Sequence, residues 1–559
     1  MSQFDIIVAA LFSIVVLAAG LAFAKLSSGS GTKSFFAGGG AVPWWVSGLS
    51  LYMSFFSVGT FVVWGSIAYT DGLVAVAIQS TMCLAGVIIG FLIAPRWNKT
   101  NVMTAAEYIG DRLGENTKTI YTALFLLSSM VGMGGWLYPV GKIVEVSTGV
   151  PLEMAILFLA GFILLYAVVG GLWAVLVTDI LQFVVLSAAI IIVVPLSFAQ
   201  VGGISGFVEQ APERFFNLTN SEYNIGFMIA FLIYNTVFIG GHWGYVQRFT
   251  TVDNPKSAQK VAWLFAALYL FSPIVWMLPP MIYRIMEPDL SGLANEGAYM
   301  LVSKAVLPAG ILGLMITAMV FATASSVNTV LNISAAVFTN DIYKSLRKSA
   351  SEKHLLTVGR ISTAVLGVTA IGSAFLVEQL GGIVNMILSI SAIIGGSLFM
   401  PPIWTLFSRR QTAFSILTVT FISLSANIGL NFIPETIIGL SLDRSSQMLF
   451  GVFFPMALLL AFELLYIFQN REDLRMKHYD SIYKTKHDEK LAIVEEASEE
   501  NADNRATTII GTSIAVVGVL IVGLGLLAPH SQITVISTGS IIILAGALLV
   551  APTLKTKFK

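Results

Sequence analysis

The chain of 559 residues is 56% hydrophobic and only 11% charged, with a mean hydropathy of +0.83, against about 45–50% apolar and about 25% charged in an average soluble chain. A soluble globular protein, a disordered chain and a coiled coil are excluded. Lys+Arg and Asp+Glu are both 31, so the formal net charge is zero and no overall field gathers nucleic acid or an acidic partner. The single cysteine, Cys83, excludes an intrachain disulfide and a cysteine-built metal site.

At roughly 20 apolar residues per span, fifteen runs predict membrane helices: 4–25, 43–68, 72–94, 117–140, 152–170, 172–199, 224–243, 259–283, 307–338, 355–376, 380–407, 412–433, 447–468, 507–528 and 533–553. The first has no basic residue ahead of it, carries Asp5, and is too long for the apolar core of a signal peptide, so it reads as a retained helix. With the N-terminus outside, 26 of the 31 Lys and Arg residues fall in cytoplasmic segments, Arg112 and Arg248 among them. That asymmetry favours a multi-pass protein of the cell (inner) membrane with a cytoplasmic C-terminus. Residues 469–506 carry ten acidic and seven basic residues, a composition that cannot bury a core, and read as a solvated cytoplasmic connector.

Ionisable residues at hydrocarbon depth are costly, about 2.5–3.5 kcal/mol for Asp at a helix centre on insertion scales. Asp179, in LWAVLVTDILQFVV, is the main one, with Gln182 on the same helical face. Two readings stay open for it, a hydrogen-bond hub and a cation site. Glu463 and Arg284 lie near run ends, where snorkelling explains them. In FATASSVNTVLNIS, Ser325, Asn328, Thr329 and Asn332 fall at i, i+3, i+4 and i+7 and form an oxygen stripe on one helix face, one turn after the carbonyl of Ala322. Several neutral oxygens with little net charge suit a weakly held sodium ion, although hydroxyls in membrane helices also bond back to their own backbone. No His or Glu sits in the middle of a run to form a proton relay. No P-loop, zinc-spaced His/Glu pair or nucleophile elbow occurs, so an enzyme is not expected.

Two runs are interrupted. Ser54, Ser57, Gly59 and Thr60 break the second, and Asn235 with the Gly240-Gly241 pair breaks the seventh. Irregular backbone at membrane depth is tolerated only where it is buried in protein or lines a cavity. Two interrupted helices five spans apart point to a transporter of inverted repeats, for which the leucine transporter fold is the model.

The residues Gly149, Leu152 and Tyr166-Ala-Val-Val-Gly-Gly-Leu-Trp-Ala174, then Thr178-Asp179-Ile-Leu-Gln182, Ala322, Ser325-Ser326, Asn332 and Phe338-Thr-Asn-Asp-Ile-Tyr343 resemble the sodium:solute symporter family, which includes sodium/glucose and sodium/proline transporters. The resemblance extends from about Ser34 to Phe407. It implies an all-α polytopic membrane protein with a 5+5 inverted-repeat core, an extra N-terminal helix and extra C-terminal helices, about fifteen spans in all. The divisions expected are 1–33 (extra N-terminal helix), 34–410 (ten-helix transport core), 411–468 (two peripheral helices), 469–506 (connector) and 507–559 (two C-terminal helices). The implied sodium site uses the carbonyls of Met53, Phe56 and Ala322 and the hydroxyls of Ser325 and Ser326. A second sodium site would use Asp179, Ser325, Asn328 and Thr329.

The implied solute pocket contains Ser57, Thr60, Gln79, Asn235, Tyr269 and Ser391, with Phe238 as a gate where a tyrosine is common. Asn235 is retained from the sugar transporters, whereas Gln79 replaces an acidic contact, Tyr269 a lysine and Ser391 a glutamine. The expected activity is sodium-coupled import of a small polar organic solute by alternating access, a sugar or sugar acid first and an amino acid or monocarboxylate second. A transporter-like sensor is the rival from a different class.

Overall fold

The computed structural model describes residues 1–27, 42–102, 104–167, 172–344, 347, 351–432, 442–496, 501–527 and 531–557, with the backbone alone at some helical positions. Among the described residues the ordered elements are all helical. In chain order they are α1 Gln3–Ser27, α2 Trp44–Met53, a π-helical turn Thr60–Trp64 leading into α3 Gly65–Asp71, α4 Leu73–Lys99, α5 Ala105–Leu113, α6 Glu115–Thr148, α7 Leu152–Ala167, α8 Leu172–Gln200 and α9 Gly203–Gln210. Next come α10 Ile225–Gly241, α11 Trp243–Thr250, α12 Pro255–Met286, α13 Ala298–Val306, α14 Ile311–Val337, α15 Glu352–Phe375 and α16 Ile383–Thr405. The chain ends with α17 Ala413–Phe432, α18 Arg444–Phe468, α19 Met476–Glu496, α20 Asn501–Leu527 and α21 Gln532–Lys557.

Each of the fifteen apolar runs carries helix. Ten described helices are long and apolar enough to cross a membrane on their own, and α10 with α11, bent by 64° at their junction, makes an eleventh. The protein is therefore multi-pass. Its outer surface agrees: Phe158, Phe271, Phe414 and Ile541 stand exposed, which an aqueous surface would not tolerate in such number but a lipid one favours.

Asp5, ahead of the first run in sequence, explains why α1 belongs to the bundle. Its carboxylate is buried, with Oδ1 accepting from the amides of Gly310 (2.6 Å) and Gly313 (3.2 Å) at the start of α14. A helix N-terminus leaves amides without intrahelical partners and favours negative charge. Gly313 has no side chain for a reason: a Cβ there would meet the Asp5 carbonyl oxygen at 2.2 Å.

Inside, α2 packs on α8 and α12, α4 packs on α10 and α12, and α14 packs on α1 and α8. Aromatic side chains fill the space around the first break. Phe56 stacks on Trp276 at 4.4 Å and 4°, and Tyr52 touches Phe183, Tyr269 and Trp276 within 5.4–5.7 Å. Such pairs add about 0.5–1.5 kcal/mol each beyond the area they bury. They fix an unwound segment that no helical ladder holds.

The connector carries a helix, α19, and is tied to the bundle at a few points. Asp473, just ahead of α19, forms a buried ion pair with Arg112 of α5. Lys486 of α19 bridges Glu107 and Asp111, each at 2.5 Å. Tyr479 lies edge-on to Tyr108 at 5.9 Å. Gly114, at φ +100, lets the Arg475 guanidinium through where a Cβ would stand 1.7 Å from Nη1. Charge composition alone missed this because every partner is more than 350 positions away in sequence.

Candidate functional site

The first interruption is where the sequence places it. The α2 helix ends at Met53, residues 54–59 turn, and helical winding resumes as a π turn at Thr60. Amides of the break bond back to Ser50, Leu51 and Tyr52, the Thr60 amide to Ser57, and the Thr60 hydroxyl donates to the Phe55 carbonyl. None of the described hydrogen bonds ends on the carbonyls of Met53 or Phe56. Two main-chain oxygens in a buried break thus keep lone pairs to offer, and unsatisfied backbone oxygens at a broken helix are where a sodium ion is held.

The second interruption lies later in the chain than expected. The α10 helix runs unbroken through Asn235 and Gly240-Gly241, and the bend falls at His242 (φ −66°, ψ 128°). The glycines serve close approach instead: a Cβ on Gly241 would meet the Phe399 Cβ at 2.9 Å, and the Gly240 carbonyl accepts from the Trp97 indole at 2.7 Å. His242 stood at the end of its run in sequence. In the fold it is buried in the bundle against Phe125, Phe238, Tyr245 and Phe399, at 4.6–5.6 Å.

The two breaks meet through Phe55, which lies 6.5 Å from Phe238 and 4.8 Å from Tyr245 by ring centroids. Along α10 a continuous row of rings, Phe227, Phe231, Tyr234, Phe238 and His242, is spaced by 5.3–5.6 Å. Phe238, expected as the gate, stands inside this row.

Of the expected solute residues, Ser57, Thr60, Gln79, Asn235, Tyr269 and Ser391 are all buried. Gln79 and Asn235 sit on the packed pair α4 and α10. Asn235 Nδ2 has no hydrogen-bond acceptor. The Ser391 hydroxyl donates to the Ile387 carbonyl at 2.7 Å, and Tyr269 packs among Tyr52, Phe265 and Trp276. Of the expected sodium ligands, Ala322 lies on α14 with its carbonyl accepting from the Ser326 hydroxyl at 3.2 Å. The side chains of Ser325, Asn328, Thr329 and Asn332 lie outside the described residues.

A small cavity, with room for little more than a water molecule, opens between the breaks, with Ser54, Trp136, Asp179, His242, Arg248 and Ser326 among its lining. It reveals a residue that sequence reading misplaced. Arg248 is no loop cation: it is 4% exposed, inside α11. The Ser50 hydroxyl donates to Asp179 Oδ2 at 2.7 Å while Arg248 Nη2 donates to the same hydroxyl at 3.3 Å. Asp179 therefore has a countercharge one hydroxyl away. Arg248 Nε remains without an acceptor, as does Nδ1 of His242 without a partner. Glu463 is likewise more than a snorkelling group: it accepts from Trp404 (3.3 Å), Ser408 (2.9 Å) and Gln411 (2.9 Å).

The model of the sodium:solute symporter family matches residues 35–420. The chain belongs to the sodium:solute symporter family. It is 27% identical over 495 residues to the sodium/glucose cotransporter of Vibrio parahaemolyticus, covering 82% of this chain and 90% of that one. It is 28% identical over 409 residues to the sodium/myo-inositol cotransporter 2 of Bos taurus, covering 66% and 60%. The structure of a Na+-coupled sialic acid symporter in a substrate-bound outward-open state shares the fold with a TM-score of 0.68 at 22% identity, over 83% of this chain and 98% of that one. A nucleobase-cation-symport-1 family transporter in a closed conformation does so with a TM-score of 0.53 at 14% identity, over 79% and 96%. Members of this symporter family are transporters rather than enzymes, and Na+ is the coupling ion.

Proposed function

We propose that the chain is a symporter that uses the sodium gradient to import a small polar organic solute, a sugar or sugar acid, by alternating access. One observation carries this reading: two broken helices meet face to face, one offering the free carbonyls of Met53 and Phe56, the other the free amide of Asn235. The first pair of groups suits a cation and the last a hydroxylated solute. The core would be two inverted sets of five spans, α2/α3 to α8 and α10/α11 to α16, each opened by its broken helix, with the N-terminus outside and the C-terminus cytoplasmic. Ala322, Ser325 and Ser326 would complete the sodium site, and Ser57, Thr60, Gln79, Tyr269 and Ser391 would join Asn235 around the solute, with Phe238 closing it. Asp179, Asn328 and Thr329, with Ser325, would hold a second sodium ion.

An amino acid or monocarboxylate is the second reading, favoured by the unpartnered Nε of Arg248 in the cavity. Uptake into proteoliposomes under an inward sodium gradient, with radiolabelled D-glucose, myo-inositol, sialic acid and L-proline, tests both. Sodium-dependent accumulation of a sugar or polyol, lost in Asn235→Ala, is the expected result. Uptake that persists in choline and follows an imposed pH gradient would sink sodium coupling, and accumulation of L-proline alone would favour the second reading.

A further inference from the structure

Between α12 and α14 the chain forms a 3₁₀ turn, Gly292–Gly297, that runs straight into α13. The turn packs on α3, on α6 and on the π turn Thr60–Trp64, so it covers the part of the first broken helix beyond Met53 and Phe56. Hydrogen bonds fasten the segment at several points. The Tyr69 hydroxyl of α3 donates to the Glu287 carbonyl at 2.6 Å and accepts from the Leu290 amide at 3.1 Å, and the Ser66 hydroxyl donates to Asn295 Oδ1 at 3.0 Å. Glu296, 3% exposed, accepts from the Tyr138 hydroxyl of α6 at 2.8 Å and from the Ile383 amide at the start of α16 at 2.9 Å. Gly382, at φ +94, makes room for this carboxylate: a Cβ there would stand 2.5 Å from Oε1. One buried side chain therefore joins the segment to two spans.

Both direct partners of Glu296 are neutral, and the charges around it are engaged elsewhere. On α6, Lys142 pairs with Glu145 at 2.9 Å. On α3, Asp71 accepts from Asn220 at 2.9 Å and Tyr69 is held as above. On α13, Lys304 donates to the Val146 carbonyl at 3.4 Å and the Tyr299 ring packs on Phe61 at 4.5 Å. Glu378 lies between α15 and α16. The two partners nevertheless suit both charge states. A tyrosine hydroxyl donates to a carboxylate or accepts from a carboxylic acid, whereas an amide only donates and holds the oxygen that stays bare. Only the ionised form bears the full cost of burial. We propose that Glu296 is a proton-operated latch on the outer face, seating the segment 287–306 over the first broken helix when protonated and letting it lift when ionised.

The direction of the linkage follows from burial. Burial raises the Glu296 pKa above the ordinary carboxylate value and Glu378 adds to the rise, while the Ile383 amide, the Tyr138 hydroxyl and Lys142 offset it only in part. In the lifted segment water restores the ordinary value, about 4.3. The proton therefore stabilises the seated state in full below that value, and the stabilisation is lost as pH rises through the raised one. Acid outside should hold the segment down and slow uptake. The inference rests on the orientation and the alternating access proposed above.

The lone native cysteine makes the test clean. In a Cys83→Ala background, spin labels on Ala294→Cys in the turn and Glu153→Cys at the start of α7, both exposed positions, report the height of the segment by double electron–electron resonance in detergent. The ratio of lifted to seated distances is expected to fall between about pH 7.5 and about pH 4.5, by up to about tenfold per pH unit, the limit for one proton. Glu296→Gln keeps the shape and both hydrogen bonds of the protonated acid, so it should stay seated at both pH values. Glu296→Ala and the milder Tyr138→Phe should both raise the lifted fraction, and Glu296→Ala should do so without pH dependence. Uptake should slow in acid outside at a fixed internal pH, and Glu296→Gln should be slow throughout. A native ratio that ignores pH overturns the proposal. So does a pH dependence that survives Glu296→Gln, which would assign the proton to another of the groups named, and so does a segment that stays seated in both Glu296→Ala and Tyr138→Phe. The distances need neither solute nor gradient: if they shift as expected and no solute accumulates, the latch stands and the transport reading falls.

Discussion

Arg112 and Arg248 are both buried arginines with a carboxylate nearby, and they are built in opposite ways. Arg112 pairs directly with Asp473, and its other amino group donates to the Gln411 carbonyl at 3.0 Å. Around it Tyr108 bonds Thr405 at 2.9 Å and Tyr121 bonds Thr420 at 2.5 Å. Arg248 meets its carboxylate through the Ser50 hydroxyl and donates its other amino group to the Gly244 carbonyl, while its Nε, the nearby His242 Nδ1 and Asn235 Nδ2 are left over. A saturated buried charge is rigid and has nothing to give a ligand. An unsaturated one is costly at rest, about 1–3 kcal/mol per orphaned group, and that cost is tolerable where something else visits. The first cluster holds the connector to the transport bundle, and the second surrounds the route through it.

The contrast is broken most easily at the saturated end. Arg112→Ala or Asp473→Ala leaves one buried charge alone and should destabilise the protein by about 3–5 kcal/mol, while the double replacement Arg112→Met with Asp473→Leu should recover most of that loss. Thermal unfolding in detergent checks both, with uptake measured on the folded fraction. Arg248→Met should do the reverse, impairing uptake with a smaller loss of stability. An Arg112→Ala protein as stable as the native one would show that the buried pair does not anchor the connector, and the comparison would fail.

Asp179 sharpens the comparison, because two cations now compete to explain it. The proposed second sodium ion would compensate its charge, yet Arg248 already stands one hydroxyl away. If the ion is present, two sodium ions should move with each solute in the native protein and one in Asp179→Asn or Thr329→Ala, as measured by parallel sodium and solute fluxes in proteoliposomes. A purely structural Asp179 gives a different outcome. Its substitution would slow both fluxes together and leave their ratio unchanged, since the residue would act only through Arg248.

The helices and the first break were legible because both are local: apolar runs of helical length, and small polar residues in the middle of one; of the fifteen runs, ten or eleven described helices qualify as spans. The second break was half legible. Gly240-Gly241 looked like the cause of unwinding, but both positions are instead places of close approach, to Ile93 and Phe399, and the chain turns one residue later at His242. Arg248 was read as a loop cation because it falls between the apolar runs 224–243 and 259–283. Its countercharge, Asp179, is reached through Ser50 across the bundle, and no periodicity on one stretch of sequence reports a partner 69 positions away. The docking of the connector was illegible for the same reason, since Asp473 and Lys486 find their partners on α5. A signal was nevertheless there: Glu107 and Asp111 stand at i, i+4 on a short amphipathic helix, a like-charge pair that is unfavourable unless a cation bridges it.

That bridge, Lys486, is where the smallest effect is expected. Its side chain keeps 22% exposure, and Glu107 and Asp111 keep 35% and 19%, so solvent screens the contact and the pair of bonds is worth about 0–1 kcal/mol. Burial by itself would lower the Lys486 pKa, but the hydrogen bonds and charges of Asp111 and Glu107 outweigh it and hold the pKa above the ordinary lysine value. A group whose folded pKa is raised contributes its stability in full below the unfolded pKa, about 10.4 for lysine, and loses it as pH rises through the folded value. The melting difference between native protein and Lys486→Met should therefore be constant from neutral pH into the mildly alkaline range and shrink only above that lysine value. It should also shrink with added salt, as the screening length falls from about 8 Å at 0.15 M to about 3 Å at 1 M. A difference that ignores both salt and pH would mean that the Lys486 stem packs against α5 and its charge is incidental, which would leave the buried Arg112–Asp473 pair and the exposed Arg409–Asp480 pair as the electrostatic ties between connector and bundle.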